Sequence, residues 1–595
     1  MRVIHEHAGR RVQGEAEGLA AGMLLFADSG GFFSLCPDEP VTKYNGLFAR
    51  ERDGRLFKSV EHLSLAREPV AITVKGGTVE RSYETAGDAL SFKDGILRYE
   101  AHGSGELLLD LDMRFLDDEE THGRVYRVEQ QGDALIVTYG KYADDSRSTL
   151  QYSRVLLVKG VPPDGFRRLD QWHERNYAYD SRRGERPSFW VYRPGLIAFT
   201  DGLALSIACA PAPEEALAAI ADRRPAASDG SPLLTLEQAT TLRALHSLVV
   251  RSADGSIGVL AGLPWFTRRW SRDELISAGA LITAGELPLA KEILLRYYEL
   301  LDGRAALDAF YPSGGLPAAD SLGWLSHRTA LLLQASPGIF SNEELADIHR
   351  KLVMTLDTLF RERQPDGLVS NAAGETWMDA SSGGDGRAGC RIEIQAGVLA
   401  ACRLCASLEK KSRRFYTSEW TKRERQLAAL VRERFFDSAS GRLADGIVDG
   451  AADWTARPNV FLAHRLYPGL LSSEEWVRVF DYALKRLWMP WGGLATIDRE
   501  HPLFCSRYTG ADDRSYHRGD AWYWVDALAA LSLQRVDKER FWPWIGALKT
   551  ACLNDLLFQG ALGHCSELSS AAEQEWGGCF AQAWSAALLY ELLAE

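Results

Sequence analysis

The chain has 595 residues and a net charge of −13, which argues against nucleic acid or an anionic membrane as main partner. Apolar residues make up 46% and charged residues 25%, ordinary for a soluble globular protein, and the length calls for two or more domains. Met1–His7 has no apolar leader core and no run of 18 apolar residues exists, so neither a secretory signal nor a membrane span is expected. Nine scattered cysteines suit a reducing cytosol better than a disulfide framework, and a cytoplasmic protein is expected.

Residues 1–213 read as a β-sandwich domain. Short apolar runs such as Val70–Val74, Leu107–Leu111 and Ala134–Tyr139 recur between turn-forming residues. Gly103-Ser104-Gly105 and Gln131-Gly132-Asp133 read as hairpin-type breaks. Gly30-Gly31-Phe32 and Tyr44-Asn45-Gly46-Leu47 read as turn punctuation with a structural role. Residues 214–234, rich in proline and polar residues, read as a linker with one short helix at Glu214–Asp222.

From 235 to 595 the pattern becomes helical. Twelve helices are predicted, near 236–252, 272–284, 287–301, 319–334, 342–363, 391–408, 415–436, 457–466, 472–487, 517–534, 538–557 and 575–593. Twelve helices with no intervening strands fit six helical hairpins closed into an (α/α)6 toroid. Loops after odd-numbered helices then share one end. Those loops hold Trp265, Trp270, Arg272 and Asp273, then Asp320, then Trp377 and Asp379, then Arg457, then His517, and finally Glu567; Trp522, just past the fifth loop, is a further candidate for substrate binding.

Such an end supplies carboxylates and arginine for sugar hydroxyls and aromatic faces for the C–H side of a pyranose. Hydrolysing an acetal needs a proton for the leaving oxygen and a base for water, and two carboxyl groups can do both jobs. Asp379, beside Trp377, suits the acid, because an indole face in a cleft raises a carboxyl pKa. Glu567 suits the base. Arg272 and Asp273 suit a hydroxyl clamp in which pairing with Arg272 keeps Asp273 ionised. Blander roles compete: Arg272 and Asp273 as a surface ion pair at a helix start, and Asp320 as a helix N-cap. His517 and His564 lack a metal-binding spacing, Cys402 and Cys405 read as buried core thiols, and no phosphate-binding loop follows a strand. No metal or cofactor is therefore expected.

Several of these segments resemble the amylo-α-1,6-glucosidase part of glycogen debranching enzymes. They are Trp265-Phe266-Thr267 through Trp270-Ser271-Arg272-Asp273, Thr376-Trp377-Met378-Asp379-Ala380, Ile392-Glu393-Ile394-Gln395, Arg457-Pro458-Asn459, Tyr516-His517-Arg518-Gly519-Asp520-Ala521-Trp522, and Ser566-Glu567 with Gly578-Cys579 through Gln582-Ala583-Trp584-Ser585. The matches run in the family's order over about 262–585. Residues 30–31 and 44–47 are more weakly similar to the β-sandwich of bacterial and archaeal members. The resemblance implies an inverting, exo-acting glucosidase that removes α-1,6-linked glucose stubs from glycogen or maltodextrin. It implies Asp379 as general acid, Glu567 as general base, and Trp270, Arg272, Asp273, Asp320 and Glu393 around the terminal glucose. Inversion carries an expected carboxyl separation of roughly 6.5–9.5 Å. With no α-amylase-like barrel in the chain, such an enzyme would need a separate glucanotransferase acting upstream or would act on stubs or short oligosaccharides directly. Arg518 and Asp520 depart from the family pattern, which would reshape the acceptor side. Arg387 and Arg391 form a basic segment near Asp379 that would favour a charged acceptor or phosphate. The competing readings are a glucoamylase-like or trehalase-like hydrolase, an inverting phosphorylase, and a glycan-binding protein without catalysis.

Overall fold

The computed structural model describes residues 1–595 except 52, 66, 222–232, 253, 381–385 and 413–417. By contacts the chain divides into two units: Met1–Ser256 with Asp555–His564, and Ile257–Asn554 with Cys565–Glu595.

In the first unit, alternation of buried and exposed side chains builds two large sheets. The segment Gly87–Lys93 alternates strictly, and Leu135, Val137 and Tyr139 of Ala134–Tyr142 point to one face and are fully buried. A ten-stranded sheet runs from Arg124–Gln131 at one edge to Arg10–Glu15 at the other. A seven-stranded sheet runs from Phe166–Asn176 to Leu24–Asp28. The described strand pairings of these two sheets are antiparallel except that of Arg2–His7 with Ala71–Lys75, and an isolated parallel bridge joins Met23 to Ala561. Phe33, Phe57 and Leu109 of one sheet share a core with Leu90, Val137 and Ile207 of the other.

Gln131-Gly132-Asp133 does close a hairpin, with Gln131 opposite Ala134. Gly103-Ser104-Gly105 does not: it carries the chain from the ten-stranded sheet to the seven-stranded one. Both breaks use glycine, so composition could not tell a turn from a crossing. Gly46 is structural, as expected. Its φ is +114° and a Cβ there would sit 1.9 Å from the Val60 carbonyl oxygen. The short helices α1 (Ala178–Arg182), α2 (Pro213–Ala221) and α3 (Leu236–His246) also belong here.

The expected break at 235 differs from this division. Helix α3 packs against Arg2–His7, and a late segment returns to the sheets. There His5 Nε2 lies 2.6 Å from the Leu557 carbonyl oxygen, and Leu562 enters the core. The expected linker is partly α2; its remainder at 222–232 lies outside the described residues.

The second unit is helical: α4 (Ser271–Thr283), α5 (Leu287–Leu301), α6 (Ser321–Ala335), α7 (Asn342–Arg363), α8 (Ile392–Ser412), α9 (Glu419–Phe435), α10 (Asn459–Leu466), α11 (Ser473–Leu487), α12 (Tyr523–Phe558, bent at Asp537) and α13 (Ala583–Ala594). The last residues of α12 group with the first unit. Capping boxes start α7 at Ser341 with Glu344 and α11 at Ser472 with Glu475. Helix α11 buries Trp476, Val479, Phe480, Ala483, Leu484 and Leu487, the spacing of a single helical face.

Alternate helices lie side by side. Helix α13 packs on α4, α4 on α6, α6 on α8 and α8 on α10. Ser532 of α12 donates to the Phe461 carbonyl of α10, and Trp524 of α12 stacks on Trp584 of α13. Helices α6 and α8 approach closely because Gly323 faces Gly397, where a Cβ would come within 2.5 Å of the opposing Cα. Part way along these helices Glu591 accepts from Arg328 at 2.7 Å and also pairs with Arg465, all buried. A buried carboxylate needs such partners to remain charged.

The helices expected at 517–534 and 575–593 begin later, at Tyr523 and Ala583. The preceding residues are extended instead: Ala521–Trp522 and Trp576–Gly577 flank Leu568–Ser569 in a three-stranded patch. That patch delivers residues to the site. Among the described residues no helix is long and apolar enough to cross a membrane.

Candidate active site

Helices α4, α12 and α13 of the second unit begin at one cavity of about 290 Å³. Arg272 and Asp273, in the first turn of α4, line it, as do Trp522, next to α12, and Gln582 and Trp584, at the start of α13. Helix N-termini present unpaired N–H groups and a partial positive charge, which suits carboxylates gathered there.

Glu567 lies in this cavity and is only 2% exposed. The Tyr516 hydroxyl donates to its Oε1, and the backbone N–H of Cys579 donates to Oε2 at 2.8 Å. The second bond requires Gly578, whose φ is +69° and where a Cβ would lie 2.2 Å from Glu567 Oε2. Burial and the charge of Glu567 keep the Tyr516 phenol protonated, its pKa well above the usual range. Both carboxylate oxygens of Glu567 are thus held by hydrogen-bond donors.

Asp379 lines the same cavity, and its side chain is 36% exposed. Arg272 reaches Asp379 Oδ2 at 3.4 Å, and His517 Nε2 stands 3.6 Å from Oδ1. Burial holds the His517 imidazole below its ordinary pKa, so it is neutral at pH 7. Trp377 is almost fully buried. Its indole N–H donates to Asn459 Oδ1 at 2.7 Å, and its edge meets Trp522, Trp524 and His517. It locks the loop two residues before Asp379.

The expected pairing of Arg272 with Asp273 is not what the structure shows. Consecutive helical residues point about 100° apart and do not face each other. Arg272 instead donates from Nε to Asp320 Oδ2 at 2.6 Å and reaches toward Asp379. Asp320 makes no side-chain cap on α6, because its carboxylate is turned to that guanidinium. Asp273 accepts from Gln582 Nε2 at 3.1 Å. Burial, opposed by Arg272 and reinforced by the charges of Glu567 and Asp379, pushes the Asp273 carboxyl up to about 8. At neutral pH it is a protonated acid that can donate to a sugar hydroxyl.

Trp270, Arg272, Asp273, Trp377 and Trp522 line the cavity with the two carboxylates. Trp265, Asp320, Glu393, Arg457 and His517 were expected at the sugar but do not line it. Trp265 packs edge-on to Phe266 and Phe580. Glu393 is buried and accepts from Arg387, while Arg457 donates to the carbonyls of Thr496 and His517. They brace the wall from behind. The lining residues not foreseen are Ala261, Phe266, Ala380, Asp513, Tyr516, Gln582 and Trp584. Tyr516, Gln582 and Trp584 sat inside matched motifs, and their adjacency to the carboxylates was the available signal.

The basic segment does not face an acceptor. Arg387 is buried and bonds Asp445, Glu393 and Thr376, and Arg391 pairs with Asp445 and Asp453. Asp520 is likewise buried, accepting from Ser515 Oγ at 2.7 Å. Burial pushes its carboxyl up to about 8, with the charge of Glu567 adding and the Ser515 hydroxyl opposing. Its neutral form therefore contributes stability that is full below the unfolded pKa near 4 and lost as pH rises through about 8. Asp520→Asn cannot ionise, so its stability advantage over the wild type should widen between pH 5 and pH 9. Urea midpoints across that range check this; a constant gap would refute it. Cys402 and Cys405 are free and buried, as expected. His564 also packs internally, with Nε2 2.9 Å from the Leu25 carbonyl oxygen.

Comparison with solved structures gives a match to a bacterial glucoamylase complexed with acarbose. It covers 98% of this chain and 95% of that one at 11% identity, with a TM-score of 0.64. At that identity the match shows the fold, on which two carboxyl groups, Asp379 and Glu567, line a small aromatic-lined cavity. The amylo-alpha-1,6-glucosidase family model matches residues 243–304 and 343–591. The chain belongs to that family. Weaker matches include a GH63 mannosylglycerate hydrolase from Thermus thermophilus in complex with glucose, at 15% identity over 60% of this chain and 99% of that one, with a TM-score of 0.43. A search of curated proteins finds no match.

Proposed function

We propose that the protein is an inverting, exo-acting glucosidase that releases glucose from α-1,6 branch stubs of glycogen or maltodextrins. In this reading α4, α6, α8, α10, α12 and α13 are the inner ring of a six-hairpin toroid. Asp379 donates a proton to the leaving oxygen. Glu567 removes one from a water that attacks the anomeric carbon from the opposite face. Asp273 and Arg272 hold hydroxyls of the terminal glucose against Trp270 and Trp522.

The observation that carries the proposal is the unequal setting of the two carboxyl groups. Glu567 is buried and fixed by two donors, whereas Asp379 stands partly exposed. A buried base beside a small cavity and an acid nearer solvent suit a terminal sugar bound inward with its chain extending out. The cavity, about 290 Å³, is at the small end of ligand sites and suits one sugar unit. Among the described residues lining the cavity Arg272 is the sole cationic one, and it is already engaged by Asp320 and Asp379, which weighs against a phosphorylase. The nine free cysteines fit a cytoplasmic enzyme. The single-glucose stubs would come from a separate glucanotransferase.

The direct test is NMR of the product anomer, with a branched α-1,6 substrate beside a linear α-1,4 one. The expected result is β-glucose from the α-1,6 substrate first. α-Glucose would overturn inversion. Faster release from the α-1,4 chain would favour a glucoamylase-like hydrolase, the reading to which the fold match lends support.

A further inference from the structure

The cavity is asymmetric. Its inner wall holds Arg272, Asp273, Glu567 and Gln582, all buried, whereas Asp513 lines it while being exposed to solvent. Asp513 therefore sits at the mouth.

Its loop is tied down. Thr509 Oγ1 donates to the Asp512 carbonyl at 2.7 Å, and the Thr509 backbone N–H donates to Ser515 Oγ at 3.0 Å. Ser515 in turn donates to the buried Asp520. The same loop leads directly into Tyr516, which holds Glu567. On either side of Asp513, Asp512 and Arg514 pair with each other at 2.9 Å. That pairing occupies the adjacent guanidinium. Among the described residues Asp513 has neither a hydrogen-bond nor an ion-pair partner. A carboxylate on an anchored loop, lining a cavity with its acceptors unused, is built to meet a ligand's donors.

We infer that Asp513 is the specificity-determining residue for the leaving group: it accepts hydrogen bonds from hydroxyls of the sugar on the far side of the scissile bond and selects neutral over anionic leaving groups. The inference rests on the glycosidase reading. With the terminal unit on the buried wall, only the mouth is left for the departing chain. Asp379, which would protonate the leaving oxygen, is the other partly exposed carboxylate there. An anionic acceptor would meet two carboxylates at the mouth and, among the described lining residues, no unengaged cation.

The test compares the full-length wild type with Asp513→Ala on two substrates. One is an α-1,6-linked glucosyl oligosaccharide. The other is α-glucosyl fluoride, whose leaving group has no hydroxyl. A lost hydrogen bond to a charged group corresponds to about 10- to 100-fold in kcat/KM for the oligosaccharide. The loss should exceed that on the fluoride by at least tenfold. An Asp513→Lys variant should also narrow the preference for neutral over carboxylate-bearing leaving groups. Equal losses on both substrates, or no loss on either, would overturn the inference. Wild type inactive on both would instead overturn the glycosidase reading, and this inference with it. Asp513 is exposed, so these variants should fold.

Discussion

Glu567→Gln should lower kcat by about 10²- to 10⁴-fold on every glucoside tested, the scale of a lost general base. The amide keeps the shape and still accepts from Tyr516 or from the Cys579 N–H, so the protein should fold as before. It cannot take a proton from water. Asp379→Asn should cost as much on an oligosaccharide but far less on α-glucosyl fluoride, because fluoride leaves without a proton. The two variants thus separate acid from base by substrate rather than by size of effect. Azide should restore turnover only in the Glu567 variant, by attacking the anomeric carbon where the activated water would act. Near-wild-type activity in Glu567→Gln, or equal sensitivity of both substrates in Asp379→Asn, would sink the assignment. Circular dichroism and thermal melting establish that each variant is folded.

Why these two carboxylates could be picked from sequence, and others not, follows from what a linear pattern encodes. Helices show themselves through a 3.6-residue apolar period, and α7, for example, lies where the sequence put it. Residues 517–522 and 575–582 misled the same reasoning. Their aromatic and small residues look helical, but tertiary pairing draws Ala521–Trp522, Trp576–Gly577 and Ala581–Gln582 into short extended segments. The late segment 555–564 joins the sheets through contacts more than 500 residues apart in sequence, which no local pattern encodes. At the site, Trp377, Asp379 and Glu567 lay in recognisable motifs. Their partners did not follow from adjacency. Arg272 bonds Asp320 rather than its neighbour Asp273, since side-chain direction on a helix decides partners. Asp513 sits in a polar loop with no period, so nothing local separates it from Asp512, which merely pairs with Arg514. Arg387 reads as a basic surface residue until its three partners are seen.

Arg387→Met should be the most destabilising single change near the site, by about 3–5 kcal/mol, the scale for breaking a buried charge network by removing one partner. Arg387 donates to Glu393 at 2.6 Å and to both oxygens of Asp445 at 2.8 and 2.9 Å, and both carboxylates are buried. Burial alone would raise the Asp445 carboxyl, yet Arg387, Arg457 and Arg391 hold it down at about 2. A depressed pKa gives stability that is present above the unfolded value near 4 and lost as pH falls through about 2. Removing Arg387 should raise that pKa and move acid unfolding to higher pH. Arg387 also fastens the loop that carries Asp379: it donates to Thr376 Oγ1, and its own carbonyl accepts from Asn371. Activity should therefore fall even at temperatures where the variant stays folded. Arg387→Lys should be intermediate, because an ammonium keeps the charge but cannot bond both carboxylates in a fork. Adding Asp445→Asn to Arg387→Met should recover part of the loss by removing the uncompensated charge, a coupling that a double-mutant cycle reads directly. Denaturant midpoints followed by tryptophan fluorescence provide the measurement. A loss under about 1 kcal/mol, or no recovery in the double variant, would show that this network does not hold the acid's loop in place.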